Sequence, residues 1–304
     1  MAVNRSIFDK EILVMGVLNA TPDSFSDGGR YFDPDRAATR GLEMIAEGAD
    51  IVDVGGESTR PGSEAISVEE ELRRVIPVIE RLVSQTDIPI SVDTVKPEVA
   101  EAAVAAGAQM INDVSCLRDS DQSAKIAARY GRHLVLMHSR GTPQTMCGLC
   151  DYTDVVKDVC KELSLSVETA LAAGVPKECI WVDPGIGFAK TWEQSIELIA
   201  RLDEIVALGY KVIVGPSRKS FIGKITGAGV DDRLGGTAAA VTTAILLGAK
   251  AVRVHDVSFM CQAALVAKAA ASARSSRREA SASVPNRREA SASVPNRREA
   301  GRDV

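Results

Sequence analysis

Eight times along this chain a short apolar run stops on a carboxylate, an amide, an imidazole or a hydroxyl, and a segment of helical period follows. The first run, Ile12 to Asn19, ends in a polar loop holding Asn19, Thr21, Asp23, Ser24, Ser26 and Asp27. The others are Ile51 to Gly55, Ile88 to Asp93, Met110 to Asp113, His133 to His138, Ile180 to Asp183, Lys211 to Gly215 and Ala251 to Val254. Runs so short and so apolar suit strands buried on both faces. Eight of them alternating with helices favour an α/β fold, the closed parallel (β/α)8 TIM barrel. The competing doubly wound sheet would normally carry a Gly-rich fingerprint after its first strand, and none follows Asn19.

The helices carry their own punctuation. Asp33 can cap a helix that starts on Pro34 and runs to Gly48. Ser67 and Glu70 have the spacing of a capping box, with Leu72, Val75, Ile76, Ile79, Leu82 and Val83 at helical intervals behind it. Further helices are predicted from Pro97, over Asp121 to Tyr130, after a long loop through Cys150 as far as Ala173, from Ser217-Arg-Lys-Ser220, beyond a break at Gly227 and Gly229 as far as Gly248, and last to Ala271.

After Ala271 the text changes. Arg-Arg-Glu-Ala-Ser-Ala-Ser-Val-Pro-Asn runs from Arg277 to Asn286, recurs from Arg287 to Asn296 and begins again at Arg297. So little apolar content cannot bury a core, so residues 1–271 are expected to form the barrel domain and 272–304 a disordered tail. A basic tail that touches a partner is the functional alternative.

The net charge of −5 is uneven: the tail has eight arginines against four acids, which leaves −9 on the body. That balance, with no basic block interleaved with aromatics, argues against nucleic-acid binding. An anionic ligand would have to be met by local basic groups. No apolar run approaches the roughly 18 residues of a membrane span, and the N-terminus lacks the segments of a signal peptide. Six cysteines at irregular spacing fit a reduced, cytoplasmic setting better than a disulfide framework.

In such a barrel the C-terminal strand ends share one mouth where reactive groups gather. Those ends are Asn19, Asp53, Asp93, Asn112, His138, Asp183, Ser217, Arg253 and His255. Asp93, Asn112 and Asp183, with Lys219, could surround a flat heterocycle rich in edge donors and acceptors. Thr59, Arg60, Arg253, His255 and the Ser217 to Ser220 helix start are rich in donors and suit an anion such as phosphate.

Four stretches together, Met15-Gly-Val-Leu-Asn-Ala-Thr-Pro-Asp-Ser-Phe-Ser-Asp-Gly-Gly29, Asp53-Val-Gly-Gly-Glu-Ser-Thr-Arg-Pro-Gly62, Asp183-Pro-Gly-Ile-Gly-Phe188 and Ser217-Arg-Lys219, closely resemble the dihydropteroate synthase family, and Arg253-Val-His-Asp256 adds a fifth. The resemblance spans Ile12 to Ala271. It implies a folate-pathway transferase that joins p-aminobenzoate to the methylene carbon of 6-hydroxymethyl-7,8-dihydropterin pyrophosphate. The implied product is 7,8-dihydropteroate, by dissociative substitution.

By motif match, Asp93, Asn112, Asp183 and Lys219 would hold the pterin, and Asn19 would bind Mg2+ with the pyrophosphate. Thr59, Arg60, Arg253 and His255 would meet the pyrophosphate, Arg253 also lying against the pterin ring; Pro61, Phe188 and the helix start at Ser220 would line the p-aminobenzoate site, and Ser217 would be a further substrate-binding residue. Arg253, Lys219, His255 and Asp93 would carry the catalysis. The resemblance also implies a homodimer through the later helices, loops after strands one and two that close over both substrates, and ordinary sulfonamide sensitivity.

Other polar residues carry plainer expectations. Asp53 is expected to hold loop backbone, His138 to be a satisfied structural histidine, and His133 to be exposed. Lys190 and Arg218 read as long-range charges or solvated side chains. Cys147-Gly-Leu-Cys150 lacks a second pair or a nearby histidine to complete a zinc set.

Overall fold

The computed structural model describes residues 5–21, 33–60 and 62–282. Eight parallel strands close into a barrel in chain order: β1 Leu13–Asn19, β2 Ile51–Gly55, β3 Ile90–Asp93, β4 Met110–Asp113, β5 His133–Met137, β6 Ile180–Asp183, β7 Lys211–Val214 and β8 Ala251–Val254. β8 pairs back onto β1, with Met15 beside Arg253. Around them run α2 Pro34–Ala46, α3 Val68–Gln85, α4 Pro97–Ala105, α5 Gln122–Tyr130, α6 Val155–Ala172, α7 Trp192–Ala200, α8 Leu202–Val206, α9 Ser220–Thr226, α10 Leu234–Leu246 and α11 Val257–Ala282, preceded by the four-residue α1 Arg5–Phe8. No helix among the described residues is long and apolar enough to cross a membrane.

The strands are apolar on both faces because each face meets a different core. Val52, Val54, Ile111, Leu134, Val182, Val212, Val252 and Val254 join the helices in the larger outer core. Their alternates, Leu13, Met15, Ile51, Met110, Val135, Trp181, Ile213 and Ala251, point into the barrel and form a second cluster. Phe8 of α1 closes that cluster from below, its ring 3.9 Å from that of His133 and 6.3 Å from that of Trp181. Gly16 in β1 shows how tight the outer packing is. A Cβ there would stand 3.1 Å from both Met44 Sδ and Val257 Cγ2, so α2 and α11 press on bare backbone.

Several local expectations are corrected. His133 is buried, because α1 covers the base and Trp181 Nε1 donates to its Nδ1 at 3.3 Å. Half of the capping box at Ser67 forms: the hydroxyl accepts from Glu70 N, but the Glu70 carboxylate turns to Arg73 and Arg74. A complete box stands at Thr191 and Gln194 instead. The last helix continues past Ala271 to Ala282, since Ala, Arg and Glu are good helix formers and Pro285 is the first breaker. Residues 283–304 lie outside the described residues.

Candidate active site

Residues two apart on a strand face the same way, so the layer above the apolar plug is fixed by the plug itself. One step above Ile51, Met110, Trp181 and Ala251 stand Asp53, Asn112, Asp183 and Arg253, and Asp93 stands one step above Ser91. Strand register then brings Asp93 beside Asn112 and Met137 beside Asp183. Five strands thus deliver polar side chains to one level of the mouth.

Arg253 is the hub. Its Nε donates to Asp53 Oδ2 and its Nη2 to Asp93 Oδ2, both at 2.7 Å, and Asn112 Nδ2 donates to the same Asp53 oxygen at 3.0 Å. Asp53 therefore orients Arg253 and Asn112 rather than loop backbone, which corrects its expected role. The other oxygens, Asp53 Oδ1 and Asp93 Oδ1, are buried with no hydrogen-bond partner among the described residues. Leaving such acceptors unmatched costs stability, and a ligand with N–H donors would relieve it.

The electrostatics follow from burial. Asp183, which accepts from Gly185 N at 2.7 Å, is pushed up to about 6 by desolvation, against the Gly185 amide and the cations Lys219, Arg253 and Lys190. Burial likewise raises Asp93, Arg253 opposing it while Asp53 and Glu71 add to it. Lys219 is lowered to about 8 by burial and then by Arg253, with Asp183 and Asp93 holding it up and Arg60 adding to the fall. Its Nζ sits 4.1 Å over the Phe188 ring, a cation–π contact that joins two expected substrate residues.

His255 is lowered to about 4, by burial first and then by Arg253 and Arg218, so it is neutral at pH 7. Ser217 Oγ accepts from its backbone N at 3.2 Å and meets its Nδ1 at 3.0 Å. Because that hydroxyl has its own proton to give, Nδ1 is assigned as acceptor and Nε2 carries the ring proton. His255 thus offers a neutral donor to an anion instead of a positive charge.

The remaining expected residues lie around this centre. Asn19 is half-buried at the end of β1, paired in register with Gly55, and Thr59 is half-buried. Arg60 and Ser220 are exposed. Pro61 lies outside the described residues, as do Asp23, Ser24, Ser26 and Asp27 of the first loop. Arg218 adopts φ +55, and its guanidinium pairs with Asp256, so it shapes the turn into α9 instead of lying free. A cavity of about 260 Å³ opens over the ends of β2 to β5; Thr59, Asp93 and Phe188 line it with Asp113, Ser115 and Arg118. Asn112, Asp183, Lys219 and Arg253 stand outside its lining.

Some functional candidates escaped local reading. The loop after β5 holds the loop after β2, through Gly62 N donating to Pro143 O at 2.9 Å and Gln144 Nε2 donating to Ser63 O. Lys190 is buried, with Nζ 2.9 Å from His138 Nδ1 and donating to Phe188 O at 2.8 Å, so of its two expected readings the solvated one is corrected. His138 is satisfied as expected, its Nε2 lying 2.9 Å from Glu162 Oε2. All six cysteines are free.

Comparison with known proteins adds independent findings. Residues 15–255 match the family described as pterin binding enzyme. The dihydropteroate synthase of Synechocystis is 47% identical over 272 residues, covering 88% of this chain and 94% of the relative. Solved structures of the Xanthomonas albilineans dihydropteroate synthase superpose with TM-scores of 0.80 for the form with 4-aminobenzoic acid and 0.77 for the form with 7,8-dihydropteroate. They are 46% and 44% identical, each covering 86% of this chain and 93% and 94% of theirs. The Yersinia pestis dihydropteroate synthase, solved with a sulfonamide drug, gives a TM-score of 0.81 at 38% identity, over 86% of this chain and 95% of its own.

Proposed function

Because this chain belongs to the family of pterin binding enzymes and stands there among the dihydropteroate synthases, we propose that its barrel mouth joins p-aminobenzoate to 6-hydroxymethyl-7,8-dihydropterin pyrophosphate. The C–O bond to the diphosphate breaks, the electron pair leaves with that oxygen, and the amine nitrogen then forms the new C–N bond and gives up its proton. The products are 7,8-dihydropteroate and diphosphate. The observation that carries this reading is the ring of acceptors Asp93, Asn112 and Asp183 set around one level of the mouth, where Asp93 Oδ1 and Asp53 Oδ1 are buried without a donor among the described residues.

The three acceptors would take the N–H edge of the pterin, and Lys219 would lie over the ring beside Phe188. Negative charge grows on the leaving diphosphate, so preorganised donors aimed at it lower the barrier without rearranging during the step. Arg253, Arg60, Thr59 and the Nε2 proton of His255 would supply them, with Ser217 and Ser220 at the turn beside them. The methylene carbon left behind is electron-poor, and Asp93 is the acidic neighbour that would stabilise it. An arylamine is already neutral at pH 7, so the reaction needs no strong base.

Mg2+ would supply charge neutralisation on the leaving group. Among the described residues no three metal-ligating side chains gather at one point. An ion here would therefore draw its shell largely from diphosphate oxygens and water, the usual habit of Mg2+, with the Asn19 amide oxygen as the protein's share. For assembly, Phe259, Leu265 and Val266 on α11 and Leu246 on α10 are exposed apolar side chains on helices that pack together, which favours a homodimer through this face. Six free thiols support a cytoplasmic setting, and the Thr59-Arg60 loop with Phe188 supports sulfonamide binding where p-aminobenzoate sits.

The deciding experiment follows diphosphate release. Release that requires both p-aminobenzoate and the pterin pyrophosphate, and that is lost with EDTA and restored by Mg2+, supports the assignment. Release from the pterin alone at the same rate overturns it.

A further inference from the structure

The segment between β6 and α7 carries Asp183 and Phe188, and its shape depends on groups that touch no substrate. Gly185 has φ +67, and a Cβ there would fall 1.9 Å from the carbonyl oxygen of His138, so the segment lies directly on the end of β5. Ala189 is held at φ +47, a region that non-glycine residues adopt only when their surroundings impose it. Tyr152 Oη donates to Ala189 O at 3.0 Å, and Arg140 stacks 3.8 Å over the Tyr152 ring while gripping Glu162. His138 N donates to Asp183 O at 2.8 Å. Lys190 completes the set from beneath, its Nζ at Phe188 O, His138 Nδ1 and, at 3.4 Å, His138 O.

We propose that Lys190 is a positioning residue for the reaction: its buried ammonium seats Phe188 and presents positive charge to Asp183 from behind, without touching either substrate. The proposal rests on reading Asp183 and Phe188 as substrate contacts. Two features argue that this is more than loop packing. First, a buried lysine with no carboxylate in direct contact among the described residues is costly, and the cost is tolerated here with Nζ 3.4 Å from where a Cβ of Gly185 would stand, the residue whose N donates to Asp183 Oδ1. Second, the charges facing Lys190 are Asp183, Glu162 and Arg140, with Cys116 and His138 beside them, so Asp183 is the acid on the substrate side.

The protonation states agree with this geometry. Burial lowers Lys190 to about 7, with Asp183 and Glu162 opposing the fall, so it is a cation through the acid range in which Asp183 titrates. His138 is lowered to about 4 by burial and then by Lys190, which keeps its Nδ1 an acceptor and puts the ring proton on Nε2, toward Glu162. Each cation near Asp183, Lys190 included, favours its carboxylate form.

The test uses the Lys190→Met variant of the full chain, which keeps an unbranched apolar stem one atom shorter and removes the charge. Affinity for 6-hydroxymethyl-7,8-dihydropterin pyrophosphate is measured from pH 5 to 8, and steady-state constants for p-aminobenzoate at pH 6.5, where Lys190 is still mostly the cation. The acid limb of pterin affinity should move up by about one pH unit, because Asp183 protonates earlier without the cation. KM for p-aminobenzoate should rise about tenfold while kcat changes less than about threefold, as a displaced binding contact predicts. A uniform loss of pterin affinity at every pH, or no change in either readout, overturns the proposal. Failure of the unaltered chain to bind the pterin pyrophosphate would instead overturn the site reading beneath it. If Lys190→Met does not fold, nitrogen-15 spectra of the unaltered chain decide: His138 as the Nε2–H tautomer supports the arrangement, and the Nδ1–H tautomer overturns it.

Discussion

The base and the mouth of this barrel are built from inward residues two apart on the same strands, yet they differ in what they leave unmatched among the described residues: a neutral hydroxyl, Ser91 Oγ, in the lower layer and carboxylate oxygens in the upper one. At the base Trp181, Phe8 and His133 pack ring against ring, and the one buried indole N–H has its acceptor. At the mouth, two residues further along the inward face, Asp53 and Asp93 each keep a buried oxygen without a donor among the described residues, and Asp183 and Lys219 are displaced toward neutrality. Stability is concentrated at one end so that the other can hold groups that would relax if left to themselves. The mouth is therefore preorganised for a ligand at the expense of the empty fold.

Substitution can break that contrast. The largest effect is expected for Arg253→Met, which removes a leaving-group donor and strands Asp53 and Asp93. Turnover should fall about a thousandfold, and chemical denaturation should show a loss of about 3 to 5 kcal/mol, the usual cost of removing one partner of a buried ion pair. A stability loss without a turnover loss would move Arg253 from the mouth's chemistry to the barrel's architecture.

At the base, Trp181→Ala should cost about 3 to 5 kcal/mol through the cavity it leaves. Where the variant is still folded, KM for both substrates should remain within about threefold of the parent. A tenfold KM change would mean that the two ends are mechanically coupled.

Asp183→Asn sharpens the comparison most finely, because it should improve the empty protein while harming function. Burial raises Asp183 from 3.8 to about 6, so the ionised group costs the fold up to about 3 kcal/mol above pH 6. The variant should be more stable by that order at pH 7.5, and the gain should fade as pH drops from 6 to below 3.8, where the carboxyl is protonated folded or unfolded. Thermal melts across that range check it, with pterin affinity falling at least about tenfold in parallel.

Much of this was legible before any coordinates. Strands with two apolar faces can be read because both faces are buried, and Asn112 and Asp183 stand out because each is a polar residue at the end of an apolar run. Asp53 interrupts such a run, but its partner Arg253 is 200 residues away and meets it only through closure of the barrel, which no local pattern encodes. Lys190 stays open between charge and solvent in the sequence for a like reason, because His138, which it meets, lies 52 residues away. His133 was misplaced because α1, at four residues, is too short to show a period, so nothing in the sequence announced that the base is covered.

The two-residue phase of the strands restricts how such a protein can change. Dropping or adding one residue inside β2 would rotate Asp53 into the helical shell and bring Val52 or Val54 toward the axis, exchanging wall for reaction chamber in one step. Lineages descended from this barrel must therefore diversify their chemistry by point replacement within strands, and reserve length variation for the connecting segments.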